Sequence, residues 1–230
     1  MPTVRAVALR RWEELTTLDL EALPGDVGLV PVGATQHHGH HLPIGTDSIV
    51  ARAVCAAASA RCGAPVLPAI DVGCGIGATA GGTLSLAPDQ LTALARRLVA
   101  EAAASGLRRL LFVNAHPGNA AALADAVDPG GEIGLEARVG VAHWWALDAA
   151  VAAECAADPG VHGGRAETAV MLAVAPELVR LDRLPRSDPR CGATEALGAD
   201  LLARTAEAVV GEVEGERAAF HGTGIATTLR

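Results

Sequence analysis

The chain is predicted to fold as α/β, with a central, mainly parallel sheet covered by helices. Short apolar runs rich in β-branched residues alternate along it with amphipathic, alanine-rich segments, the pattern of strands exchanging with helices. Half of its 230 residues are hydrophobic, enough for one sizeable core, so a single domain over residues 1–230 is expected.

Four runs read as buried strands: Val27 to Val32, Pro65 to Ile70, Leu107 to Val113 and Arg138 to His143. Each is too short for a helix and is bounded by Gly, Pro or polar residues. The clearest helix begins near Pro88 with Asp89 in its first turn. Its apolar positions Leu91, Leu94, Leu98 and Val99 keep helical spacing until Ser105 and Gly106 stop it. Further helices are expected over Asp47 to Ala60, Asn119 to Val127, Ala166 to Val174 and Gly198 to Val213. Arg183 to Gly192, with Pro185 and Pro189, reads as an exposed connection before the last of them. Three loops, Gly33 to Asp47, Gly73 to Thr83 and Asn114 to Asn119, follow strands directly. In open α/β sheets ligands bind at that end.

Composition narrows the function. A net charge of −8 without any Lys or Arg cluster argues against a nucleic-acid groove or an anionic membrane surface, since both need concentrated positive charge. The N-terminal segment carries charges where a signal peptide needs its apolar stretch, and no apolar run reaches the ~18 residues of a membrane span. A cytoplasmic protein acting on a small molecule or peptide is expected. Five cysteines without a CxxC pair indicate neither a disulfide framework nor a zinc ribbon, and of these only Cys74 lies in a glycine-rich loop.

The histidines carry the strongest signal. Seven of eight fall in the segments QHHGHH, NAH, HWW and VHGG, and the eighth is His221. In the first segment Gln36, His38, His41 and Asp47 sit on a turn with Gly39, Pro43 and Gly45, so that imidazoles and a carboxylate can converge. Nitrogen plus carboxylate oxygen is the donor set of Zn2+, Mn2+ and Fe2+; an exposed polar loop is the plainer reading. Asn114, His116 and Asn119 follow the apolar run LRRLLFV, either at the same site or as caps of a helix starting at Pro117. Glu167 enters an apolar helix near its N-terminus, where the dipole favours an anion, as it would for a solvated first-turn glutamate.

Together these segments resemble the creatininase family. Its pattern is close to GSTEQHGxHLPLGTD, FPGTxSL, NGHxxN and HAGxxETSxML in that order; this chain shows GATQHHGHHLPIGTD, AGGTLSL, NAHPGN and HGGRAETAVML, covering about Asp26 to Asp182. The resemblance implies a three-layer α/β/α fold, a hexamer or other homo-oligomer, and a divalent metal cofactor, Zn2+ first, with Mn2+ or Fe2+ as alternatives, at one or two ions per chain. It implies that Asp47 bridges the metals, that Gln36, His38 and His116 are ligands, that Glu167 is a ligand or the base for the attacking water, and that His162 handles the leaving-group proton. Trp145, Thr83 and Asn114 are then expected at the substrate. Such a metal supplies hydroxide near neutral pH and polarises a carbonyl, leaving one acid to protonate the departing nitrogen.

Two departures bear on the metals. Gln36 stands where the family has a glutamate, and a neutral amide oxygen holds a cation less well. Gly118 occupies the place of a glutamate of creatininase itself. That enzyme's second lid tryptophan also has no counterpart, which argues against creatinine as substrate. The expected activity is hydrolysis of a small amide, cyclic amide or formamide. Peptide trimming of the mycofactocin-maturation type and a non-hydrolytic pseudoenzyme are the alternatives.

Overall fold

The computed structural model describes residues 9–23, 25–75, 81–127, 138–157 and 162–215; His221 and the middle of the Gly73 to Thr83 loop lie outside them. Three parallel strands, β1 (Val27–Val32), β2 (Arg109–Asn114) and β3 (Arg138–His143), lie in sequence order. Their register brings Val32, Asn114 and His143 into one row at the carboxyl edge. All three strands therefore deliver their following loops to the same end of the sheet.

Strand alternation sorts the core into two halves, because successive side chains point to opposite faces. Val27 and Leu29 of β1, with Leu111 and Val113 of β2, pack on one face against α2 (Thr46–Cys62), α6 (Arg165–Val174) and α7 (Glu195–Glu214). Val30 and Val32, with Leu110 and Phe112, pack on the other face against α3 (Pro88–Ala104) and α4 (Ala120–Val127). The fold is a three-layer α/β/α sandwich. Two short helices complete it, α1 (Thr17–Glu21) and α5 (Ala149–Ala156). No helix among the described residues is long and apolar enough to cross a membrane.

Helix ends follow local chemistry. Pro88 occupies the first position of α3, where its missing N–H costs nothing, and the Gln90 side chain accepts from the Ala87 N–H at 2.9 Å. Gly63 closes α2 at φ 77°, a left-handed conformation that glycine adopts without strain. Thr194 caps α7 by accepting from the Leu197 N–H at 3.2 Å.

One expected strand is interrupted. Pro65 to Ile70 runs beside β1 but bridges it only at Leu29↔Val66 and Val32↔Ile70. Three steps on β1 (29 to 32) face four on this segment (66 to 70), so one extra residue bulges out around Pro68, which has no N–H to give the ladder. Arg183 to Gly192 is a largely exposed connection, as expected, folded into short 3-10 turns.

The crossing of α6 and α7 depends on Gly198. A Cβ there would overlap the Ala169 carbonyl of α6. Gly198→Ala is expected to destabilise the fold toward the upper end of about 1–3 kcal/mol, because backbone cannot yield as a side-chain tip can. The denaturation midpoint measures this, and an unchanged midpoint would contradict so close a crossing.

Candidate metal centre

The loop after β1 returns sharply into α2 and presents alternate residues to opposite sides. Gln36, His38 and His41 are buried, whereas His37 and His40 are exposed. Gly33 makes the return possible, since a side chain there would strike the backbone of Ser48 in α2. Asp47 falls in the first turn of α2 and Glu167 in the first turn of α6, so two carboxylates sit at helix N-termini, where the dipole favours negative charge.

These residues converge. Asp47 Oδ1 lies 2.8 Å from His38 Nε2, and Asp47 Oδ2 lies 3.1 Å from His116 Nδ1. His38, Asp47 and Glu167 offer donor atoms all within 4.8 Å of one another. His38 and His116 are fully buried and Asp47 is 1% exposed. The imidazole tautomers are fixed from behind. His38 donates through Nδ1 to the Gln36 carbonyl at 3.0 Å, and His116 donates through Nε2 to the Cys74 carbonyl at 2.8 Å. Each ring thus turns its other nitrogen toward Asp47, the arrangement by which outer hydrogen bonds prepare metal-binding histidines.

Electrostatics agree with a site built around positive charge. Burial disfavours a charged His38, but its hydrogen bond to Asp47 and the charges of Asp47 and Glu167 outweigh this and raise it to about 9. Burial would likewise raise Asp47, yet the facing His116 and His38 hold it below the usual carboxylate range. Glu167 is pushed up to about 7, mainly by burial, with the neighbouring Asp47 charge adding to it and His38 opposing it. Its Oε2 accepts the Gly163 N–H at 2.6 Å. Two buried carboxylates with two histidine lone pairs fit a divalent cation, and they are costly to bury without one.

Gln36 enters the same cluster through its side-chain nitrogen, 3.0 Å from Asp47 Oδ2, 2.9 Å from His116 Nδ1 and 3.3 Å from His162 Nδ1. The nitrogen is the chemically sensible end here, since the amide oxygen would face a carboxylate oxygen. His162 is half-buried, stacks on His116 at 5.8 Å and meets the edge of His38 at 5.6 Å. Burial and the nearby His38 charge keep its pKa low, so it is neutral at pH 7.

Other expected site residues have different surroundings. Asn114 is fully buried with its amide saturated: Nδ2 donates to the His116 carbonyl at 2.9 Å and to His143 Nδ1 at 3.1 Å, while Oδ1 accepts from the His116 N–H and from Asn119. Among the described residues these bonds are spent on His116 and its neighbours. Trp145 is half-buried and stacks on His143 at 4.9 Å, beyond the end of β3. Thr83 is half-buried and precedes Leu84, whose N–H pairs with the Thr35 carbonyl one residue before Gln36.

Asn119 does more than cap a helix. Its Oδ1 accepts the Cys74 N–H at 2.8 Å, and its Nδ2 donates to the Gly33 carbonyl at 2.9 Å and to Asn114 Oδ1 at 3.2 Å. One buried amide therefore fastens all three loops together. Its place in NAHPGN was visible, but partners 45 and 86 residues away were not. Cys74 contributes its backbone to this staple; its thiol is buried and raised in pKa by that burial, which disfavours the nucleophilic thiolate.

Comparison with known proteins matches the chain to a family. Residues 13–223 match the family model of creatininase, described as creatinine amidohydrolase. The chain is 34% identical over 197 residues to the creatinine amidohydrolase of Pseudomonas putida, covering 76% of each. It is 35% identical over 166 residues to the mycofactocin precursor peptide peptidase of Mycobacterium ulcerans, spanning 68% of this chain and 61% of that one. A crystal structure of creatininase superposes with a TM-score of 0.77 at 28% identity, over 91% of this chain and 97% of the other. Creatininase has also been solved in a manganese form and, as a variant, in a zinc–zinc form, both at a TM-score of 0.76. The chain belongs to the creatininase family of amidohydrolases.

Proposed function

We propose that the chain hydrolyses a C–N bond of a small amide, cyclic amide or formamide, with a divalent cation, Zn2+ or Mn2+, held around Asp47. The observation that carries this reading is the division of the Asp47 carboxylate between His38 and His116, each ring locked from behind with its second nitrogen inward. One cation position would be held by His38 Nε2, Asp47 Oδ1 and Glu167. A second would be held by His116 Nδ1, Asp47 Oδ2 and Gln36.

A bound cation supplies Lewis acidity toward the carbonyl and lowers the pKa of water. The remaining work falls to the chain. Glu167, a buried carboxylate beside the first cation position, takes a proton from the attacking water. His162, neutral and facing the cluster from its half-buried position, is placed to receive the proton that Glu167 takes from water and to pass it to the departing nitrogen. Asn114 and the Cys74 carbonyl hold His116, and Trp145 and Thr83 would be contacts for the substrate.

Peptide trimming is the second reading, favoured by the similarity to the mycofactocin precursor peptide peptidase. Metal-loaded enzyme is to be given a panel of small linear and cyclic amides and formamides, and separately a precursor peptide, with products read by mass spectrometry. Hydrolysis within the small-amide panel supports the first reading. Cleavage of the peptide alone overturns it in favour of the second.

Cation binding should stabilise the fold by about 2.7 kcal/mol at a hundredfold excess over Kd, since only the folded chain holds the site together. A melting temperature that responds neither to Zn2+ or Mn2+ nor to EDTA would oppose the metal reading. Affinity should also rise with pH. In the metal-free chain His38 keeps its proton up to about 9 and Glu167 up to about 7, and an entering cation must displace both. Titration calorimetry at pH 6 and pH 8 checks the sign, and tighter binding at pH 6 would contradict it.

A further inference from the structure

We propose that His41, which turns away from the cation cluster, is a positioning residue that sets the distance between His38 and Glu167 through Thr168. This rests on the reading above that the cluster binds a divalent cation.

The residue types suggest that His41 is a further ligand, because it shares a turn with His38. The structure gives it another task. It is 1% exposed, and its Nε2 lies 2.9 Å from Thr168 Oγ1, 127 residues away on α6. The Thr168 hydroxyl donates to the Gly164 carbonyl at 2.6 Å, so it accepts from His41 with its remaining lone pair. His41 Nδ1 has no hydrogen-bonding partner among the described residues. Burial, helped by the Arg190 charge, lowers its pKa, so the neutral ring carries its proton on Nε2, toward Thr168. The donor sequence is His41 to Thr168 to Gly164.

Both ends of this sequence are next to ligand-bearing positions. Thr168 follows Glu167 directly. Gly164 follows Gly163, whose N–H binds the Glu167 carboxylate and whose φ of 67° places it beneath the His38 loop. A Cβ on Gly163 would come within 2.6 Å of the His38 carbonyl and 3.3 Å of His41 Cε1. From its other side the His41 carbonyl accepts the Arg180 N–H at 2.8 Å. The first loop and the start of α6 therefore touch through backbone and are joined by the His41–Thr168 side-chain link. Without that link the contact can slide, and Glu167 moves relative to His38 and Asp47.

The test compares the full-length wild type with Thr168→Val, Thr168→Ser, His41→Leu and His41→Gln, using Co2+ as the probe. Visible absorption of the bound ion reports coordination, calorimetric titration gives Kd, and melting of the metal-free chain reports folding separately. Thr168→Val and His41→Leu remove the link and are expected to weaken Co2+ binding about 10- to 100-fold, the usual effect of losing an outer hydrogen bond at a metal site, with a changed absorption band. Thr168→Ser keeps the hydroxyl and His41→Gln keeps a donor near Nε2, so both should bind close to wild type. If Thr168→Val fails to fold, the His41→Leu and His41→Gln pair decides. Wild-type Kd and spectrum in the folded variants that lack the link, whatever their melting temperature, would overturn the proposal and leave His41 as packing alone. Failure of the wild type to bind Co2+ would instead remove the metal reading beneath it, and this proposal with it.

Discussion

Asp47→Ala is expected to leave the chain unable to hold a divalent cation at either position. Asp47 is the one carboxylate whose two oxygens face the two histidines separately, 2.8 Å from His38 and 3.1 Å from His116, so its loss takes charge from both positions together. His38→Ala or His116→Ala removes one neutral donor from one position and should lower occupancy less completely. The fold should survive. Once Asp47 is gone, His38 can shed its proton rather than remain an uncompensated buried cation, which limits the cost that breaking a buried ion pair would otherwise carry. Circular dichroism checks folding and elemental analysis checks metal; full occupancy in folded Asp47→Ala would remove Asp47 from the site.

The second large effect is expected at Gln36. Its amide nitrogen lies against Asp47 Oδ2 and His116 Nδ1, the two atoms that a cation on that side would use. To serve as a ligand the amide must turn its oxygen inward, giving up those hydrogen bonds in return for a neutral donor. Binding there should be weak, and the chain should work with one tightly held cation. Gln36→Glu reverses both penalties. In the metal-free chain it places a second carboxylate about 3 Å from Asp47, where two like charges cannot both ionise, so the apoprotein should melt at a lower temperature. With metal present the repulsion becomes attraction. Stoichiometry should rise toward two per chain, and the gain in melting temperature on adding metal should exceed that of the wild type. Calorimetric titration without added sites or affinity would show that residue 36 does not reach the metal.

Much of this was legible in residue order. β1 and β3 coincide with their apolar runs, and α3 runs from its proline to the residue before Ser105, because those signals are local. The grouping of His38, Asp47, His116 and Glu167 was legible through the resemblance of their motifs to the family's, and the common register of the strands explains how the loops bearing the first three reach one edge. What escaped depends on distant partners. Asn114 carries the functional groups of a substrate contact, and only its four bonds reveal that it is spent on His116 and its neighbours. His41 and His38 differ by three positions on one turn, and nothing local says that one faces Asp47 and the other Thr168. α5 is an eight-residue, alanine-rich helix with little apolar periodicity to announce it. The bulge near Pro68 hung on register with β1, which a run of apolar residues does not encode.

The central claim is that a divalent cation sits against Asp47 between the buried histidines and Glu167. Anomalous diffraction at the zinc edge, from crystals of the full chain grown with Zn2+, locates the ion directly. The expected result is a peak about 2.0–2.2 Å from His38 Nε2 and from an Asp47 oxygen, with Glu167 turned toward it. A peak confined to the exposed His37 and His40 or to a cysteine, with none at Asp47, would contradict the account.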